Sequence, residues 1–292
     1  MRYHLAQILI WLLGRDTRNV QLCGVFPDSL PSFEHLPEST VAAFAQRIMK
    51  QIGKQVQSAI GYRVVRTKKL GVNWLDDCKR ISSEGWNPNY QSLDVIFDVG
   101  ANIGQTAEKL SATTCANSIY CFEPVRSTFK QLQQNTSKIP KVECFEFGLS
   151  DVNGDATINI YSASVLASTC DESPIMSKQS EAFDRTETIQ LRTLDSVCEE
   201  RNINKIDVLK IDTEGADLRT LQGATGMLSE KRIGFVVFEF YTPESDKSDN
   251  GTLFPVNALL QKHGYRLVTF YTDYVQDNGI VGVYNALYMA TA

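Results

Sequence analysis

The sequence predicts an α/β fold: a doubly wound, mostly parallel sheet with a C-terminal antiparallel hairpin and an N-terminal helical and β appendage. Three observations point there. From Leu93 onward, short apolar runs alternate with longer amphipathic segments, the pattern of parallel strands joined by crossover helices. The first run, Val95-Ile96-Phe97-Asp98, passes directly into the small-residue turn Val99-Gly100-Ala101-Asn102-Ile103-Gly104. Late in the chain, two β-like runs at 265–271 and 281–289 flank Asp277-Asn278-Gly279, which carries a hairpin turn signal.

Residues 1–90 read as the appendage. It opens with a helix, continues through a loop holding Pro27, Pro31 and Pro37, and then predicts a helix over 39–60 and a β-rich stretch over 62–72. Ser, Gly, Asn and Pro cluster at 82–89, which reads as a linker and sets a soft boundary near Tyr90. The domain at 91–292 should place strands at 94–98, 118–123, 142–148, 207–211 and 234–240, with helices after the first, second, fourth and fifth. Between the third and fourth lies an insertion, 151–194, with one strand-like run at 156–161. Long loops of this kind commonly serve as lids or binding loops.

A net charge of -5, with Lys and Arg scattered, disfavours extended nucleic-acid binding, which rests on neutralising phosphates. The basic group Arg63, Arg66, Lys68 and Lys69 reads as a solvated strand face. The 7 cysteines are odd in number and lack CxxC or zinc-like spacing, so they read as reduced core thiols in a cytoplasmic, reducing setting. The apolar run at 5–13 falls well short of the ~20 residues of a membrane span. No small-residue cleavage site follows it, so a packed or surface-associated helix is expected there rather than a signal peptide.

The turn at 98–104 carries the strongest chemical signal. Gly100 and Gly104 let backbone approach a ligand, and ligands of doubly wound sheets gather at the carboxyl ends of the strands. A dinucleotide fingerprint would need glycine where Asn102 and Gln105 stand. The observed D-x-G-x-N-x-G suits a ligand without a pyrophosphate. Helix-terminal amides there can receive a carboxylate, and Asp98 favours an ammonium, directly or through water. S-adenosyl-L-methionine carries both groups. About twenty residues further on, Glu123 ends the second strand, where nucleotide folds place a ribose-binding acid; Pro124, with its fixed φ, helps hold it. Gly148-Leu149-Ser150-Asp151 would border the adenine, with Leu149 and Ser150 as contacts.

Four blocks then resemble the FkbM family of methyltransferases: Phe97 to Gly104, Phe122-Glu123-Pro124, Arg192-Thr193-Leu194-Asp195, and Lys210-Ile211-Asp212-Thr213-Glu214-Gly215-Ala216-Asp217. Their order and spacing are more specific than any single block. The resemblance spans about 94–241 and implies a Rossmann-like methyltransferase fold that uses adenosylmethionine to methylate oxygen on sugars, glycans or polyketide-type products. Tyr284-Asn285-Ala286-Leu287-Tyr288 is similar to the last strand of glycan-linked members. The first ninety or so residues carry no such signal; covering the site, joining a homo-oligomer and contacting a carrier remain open roles for them.

On the acceptor side, an alcohol is a poor nucleophile, so methyl transfer gains from a positioned base and in-line alignment. Asp212 and Glu214 are the candidate catalytic acids, with loop orientation and helix capping as their plainer roles. A second route has Asp212 and Glu239 hold a divalent metal, Mg2+ by preference, that lowers the hydroxyl's pKa. Lys210 reads as a sheet residue with its ammonium at the rim. Of the 3 histidines, His4, His35 and His263, none falls in a block, and His263 reads as a helix-end residue. Tyr161, Ser164, Ser168 and Tyr241 are further candidates for acceptor contact. Two rival readings stand beside this one. Methylation of nucleic acid or protein is disfavoured by Asp212-Thr213-Glu214-Gly215, which replaces the Asn/Asp-Pro-Pro-Tyr turn of amino-methylating enzymes. A noncatalytic interaction protein is disfavoured because every expected acid is present.

Overall fold

The computed structural model describes residues 70–161, 167–168, 183–241, 253–275 and 281–291. The expected elements over 1–69 and the turn at 277–279 lie outside the described residues.

Chain order begins with helix α1 (Trp74–Ser83), strand β1 (Val95–Val99), α2 (Gln105–Thr113), β2 (Ser118–Phe122), α3 (Arg126–Thr136) and β3 (Val142–Phe145). The insertion then contributes β4 (Gly148–Leu149), β5 (Gly154–Tyr161), β6 (Ala167–Ser168) and β7 (Phe183–Arg192). The chain continues through α4 (Leu194–Arg201), β8 (Ile206–Ile211), α5 (Asp217–Gln222), α6 (Thr225–Ser229), β9 (Ile233–Tyr241), α7 (Leu253–Lys262), β10 (Tyr265–Val275) and β11 (Val281–Ala290).

Seven strands form one sheet in the order β10-β11-β9-β8-β1-β2-β3. The five from β9 to β3 are parallel, and the β10–β11 pair joins antiparallel to β9. Parallel strands covered on both faces read as continuous apolar runs. In β8 all six residues are buried, and Ile96, Phe97, Ile119, Val208, Val236 and Phe238 are closed to solvent. The helices expected after the first, second, fourth and fifth strands are present. The order reverses direction at β1, so the carboxyl ends of β1, β2 and β8 frame the crevice where such sheets bind ligands.

Two regions depart from the sequence reading. The third strand does not run unbroken over 142–148. It ends at Phe145, and Gly148 and Leu149 pair with Leu191 and Arg192 in a second sheet, order β4-β7-β5-β6. Among the described residues the insertion is therefore largely sheet rather than loop. Among the described side chains of β7, the inward face is apolar at Ile189 and Leu191 and charged at Arg185 and Glu187, so the alternation is too short to read.

The second departure precedes β1. Asn73 caps α1, its Oδ1 accepting from the amides of Leu75 (3.0 Å) and Asp76 (3.1 Å). Leu75, Cys78, Ile81 and Tyr90 then enter the same hydrophobic core as the main sheet, so the described residues ahead of the boundary read near Tyr90 pack with the domain behind it. No helix among the described residues is long and apolar enough to cross a membrane.

Candidate active site

A cavity of about 530 Å³ opens along the carboxyl edge of the main sheet, from Glu239 at the end of β9 past Asp212 and Gly100 to Glu123, and on to the inserted sheet. Its floor depends on glycine. Gly100 has φ +76°, and a Cβ there would lie 1.8 Å from the Asp212 carbonyl oxygen. Only glycine lets the turn after β1 press against the turn after β8. The amides of Gly100 and Ala101 both donate to the Phe122 carbonyl at 3.0 Å, and the Asp212 amide donates to Val99 at 2.9 Å, so the three strand ends are locked together. Asn102 follows at φ +49° and lines the cavity. Gly104 does not line it. Its φ of +101° and the close approach of Leu132 and Thr136 explain that glycine as a seat for α3.

Glu123 is 7% exposed and lines the cavity. One carboxylate oxygen accepts from the Val125 amide (2.9 Å) and the other from the Asn102 amide (3.1 Å). Burial pushes its pKa up to about 7 despite those two bonds, which favour the ionised form. The acid thus ties the β2 tip to the glycine turn, and each oxygen keeps a lone pair for a ligand. Leu149, also on the wall, is buried. Ser150 is not on the wall: its amide donates to the Arg192 carbonyl and its hydroxyl to Asp151, and its own carbonyl is so close to Gly223 that a Cβ there would sit 1.9 Å away.

Asp98 stands apart from the cavity lining. It is 0% exposed, neither carboxylate oxygen has a hydrogen-bond partner, and the Lys210 ammonium lies 3.6 Å away. Burial raises its pKa against the pull of Lys210. Lys210 is buried rather than at the rim, and donates to Asp212 at 3.0 Å. Burial alone would lower its pKa, but Asp212, Asp98 and Glu239 together hold it above the ordinary lysine value, so the ammonium stays charged.

Asp212, bonded to that ammonium, meets the other two acceptor-side acids. Carboxylate oxygens of Asp212, Glu214 and Glu239 lie within 4.8 Å of one another, and all three residues line the cavity. Glu214 holds φ +51° beside Gly215 at +102°, so the turn after β8 is shaped by left-handed backbone. Three hard oxygen donors fit a divalent cation by type, although the Lys210 ammonium already meets part of their charge.

Two participants went unassigned in the sequence. Lys210, expected at the rim and given no part in the site, is one; the available signal was a lysine set between Leu209 and Ile211 in a strand, which has to find a counter-charge. Asp217, quoted in a family block without a role, is the other. It is 2% exposed, accepts from the Thr213 hydroxyl at 3.2 Å, and has its pKa pushed up to about 7 by burial and then by Asp212. The block at 192–195 proves architectural: Thr193 caps α4, and Asp195 receives the amides of Gly226 (2.7 Å) and Met227 (2.9 Å) at the start of α6. Tyr161, Ser168 and Tyr241 have backbones in β5, β6 and β9, but their side chains, and all of Ser164, lie outside the described residues. His263 is not among the cavity residues.

A family model described as "Methyltransferase FkbM domain" matches residues 98–267, more than half the chain and all of this edge. The chain belongs to the FkbM methyltransferase family. Among curated relatives, this FkbM chain is 30% identical over 151 residues to the "Hexuronic acid methyltransferase AglP" of Haloferax volcanii, covering 51% of this chain and 56% of that protein. It is 25% identical over 174 residues to the "2-O-methyltransferase NoeI" of Sinorhizobium fredii, covering 57% and 69% respectively. The match thus spans little more than half of the first relative's length. Among solved structures, an FkbM methyltransferase from Methylobacillus flagellatus is similar at 16% identity and a TM-score of 0.44, covering 67% of this chain and 43% of that one.

Proposed function

We propose that this FkbM-family protein is an S-adenosylmethionine-dependent O-methyltransferase acting on a hydroxyl of a sugar, glycan or glycosylated natural product. The observation that carries this reading is the single trough that joins a glycine turn and a ribose-type acid, Glu123, to a cluster of three carboxylates, one of them ion-paired to a buried lysine. The Gly100–Asn102 turn offers backbone room for the cofactor's amino-acid tail, and Glu123 accepts from the ribose hydroxyls. Asp98 acts from below the turn: its unpartnered, buried oxygens and Lys210 set the field at the tail's ammonium without touching the cavity.

The bound cofactor supplies an electrophilic methyl on a sulfonium. Asp212 would accept the acceptor hydroxyl's proton as the new O–C bond forms and the methyl–sulfur bond breaks, its electrons staying on the neutral thioether that leaves, and Lys210 fixes the Asp212 carboxylate for that task. Glu214, on the same turn, holds the hydroxyl in line. The names of the two relatives, a hexuronic acid and a 2-O-methyltransferase, agree with a sugar hydroxyl as acceptor. The free state of Cys78, Cys115, Cys121, Cys144 and Cys198 agrees with a cytoplasmic setting.

Methyl transfer from labelled adenosylmethionine to separate pools of glycans, RNA, DNA and protein tests the reading. Label in the glycan pool is expected, and label confined to nucleic acid or protein would refute it. The convergence of Asp212, Glu214 and Glu239 favours a second, metal-assisted route in which these oxygens hold Mg2+ beside the acceptor. Activity abolished by chelation and restored by Mg2+ would establish that route, and activity indifferent to chelation would exclude it.

A further inference from the structure

The inserted sheet has no assigned part in the trough, yet it closes one end of it. Where it meets the cavity it presents four aliphatic side chains, Ile158 and Ile160 on β5 and Ile189 and Leu191 on β7, packed against Val125 at the head of α3, with Asp184 and Arg185 of β7 lining the cavity beside them. These five form a hydrophobic cluster of their own, separate from the main core. Two polar contacts seat the sheet on α3. Glu187 accepts from the Arg126 amide at 2.9 Å, filling the cap that Val125 cannot supply, and Arg185 donates to the Ser127 hydroxyl at 3.3 Å.

Strand order fixes what this wall faces. Along the edge the sequence is β9, β8, β1, β2, β3, so the three carboxylates lie on one side of the glycine turn and the inserted sheet on the other, beyond Glu123. A nucleoside whose ribose sits on Glu123 and whose tail reaches the glycine turn has its base directed away from the carboxylates, toward the isoleucines. We infer that the inserted sheet is a cofactor element, the apolar wall on which the adenine ring lies, and not a lid over the acceptor. This rests on the cofactor reading given above. It assigns strands β5 and β7 of the insertion to nucleotide binding and leaves the acceptor the opposite, charged end. Ile158, Ile160 and Ile189 offer the ring contact area and no hydrogen bond.

Calorimetric titration of S-adenosylhomocysteine into the full chain and its Ile158→Ala and Ile189→Ala variants tests the inference. Each variant is expected to bind about tenfold more weakly, with the fold kept because this cluster is separate from the main core. Hydrogen exchange on the unaltered protein serves as a measurement independent of any variant: S-adenosylhomocysteine should protect amides over 154–160 and 184–191. Affinity unchanged within twofold, with no protection in those strands, would overturn the wall while leaving the cofactor reading intact. Failure of the unaltered protein to bind S-adenosylhomocysteine would overturn both.

Discussion

The two ends of the trough are built on opposite terms. At the β8–β9 end, Asp212, Glu214, Glu239, Lys210, Asp98 and Asp217 crowd charge into a space where two of the acids are almost closed to water. At the β2 end, Glu123 gives way to a wall of branched aliphatic side chains, with Asp184 and Arg185 beside it. Burying charge strains stability unless each group is paired, whereas burying aliphatic surface contributes to it. On the reading proposed above, the charged end gives up stability for chemistry and the apolar end gathers binding area.

The largest effect should appear at the charged end and in turnover alone. Asp212→Asn is expected to lower kcat by about a hundredfold or more, as loss of a general base does. Equal turnover in the variant and the parent would remove the distinction between the two ends. Next comes the buried ion cluster. Lys210→Met leaves Asp98 without its counter-charge and should cost about 3–5 kcal/mol in a urea titration. Asp98→Asn in that background should recover part of the loss, and a strictly additive double variant would show the two groups to be independent.

Gly100→Ala strikes the junction between the ends. With its Cβ directed into the Asp212 carbonyl and φ at +76°, the variant should lose roughly 3 kcal/mol of stability. An unchanged melting temperature would mean that the β1 and β8 turns are not held as close as described.

The smallest effect depends on pH. Asp217 has a folded-state pKa raised from 3.8 to about 7, so the stability associated with its protonated form is present below pH 3.8 and is lost as pH rises through 7. Asp217→Asn should therefore match the parent in acid and gain on it with rising pH, by on the order of 2 kcal/mol above neutrality. Parallel stability curves across that window would show that Asp217 does not strain this end.

The same contrast explains what could be read in the sequence. The five parallel strands were legible because strands buried on both faces leave unbroken apolar runs such as Val95-Ile96-Phe97 and Val208-Leu209. The trough's principal acids were legible because the glycine turn, Glu123-Pro124 and the Asp212 turn each sit where a strand ends. The inserted sheet was not, because β7 mixes Arg185 and Glu187 with Ile189 and Leu191 on one face, and its partner pairing lies far off in sequence. Helix α1 was missed although Leu75, Cys78 and Ile81 recur at helical spacing, since the neighbouring Ser-Gly-Asn-Pro cluster dominated that stretch. Burial also escapes a linear reading. Asp98, Gly104 and Ser150 belong to the right turns yet do not line the cavity, and Lys210 is buried rather than at the rim.

The central claim is that one trough binds the cofactor at its Glu123 side and does chemistry at its Asp212 side. Titrating S-adenosylhomocysteine into the parent protein, Glu123→Ala and Asp212→Asn in the calorimeter tests it most directly. Binding should weaken about tenfold or more in Glu123→Ala, through loss of charged hydrogen bonds, and remain near the parent value in Asp212→Asn. Parent-like affinity in Glu123→Ala would contradict the account.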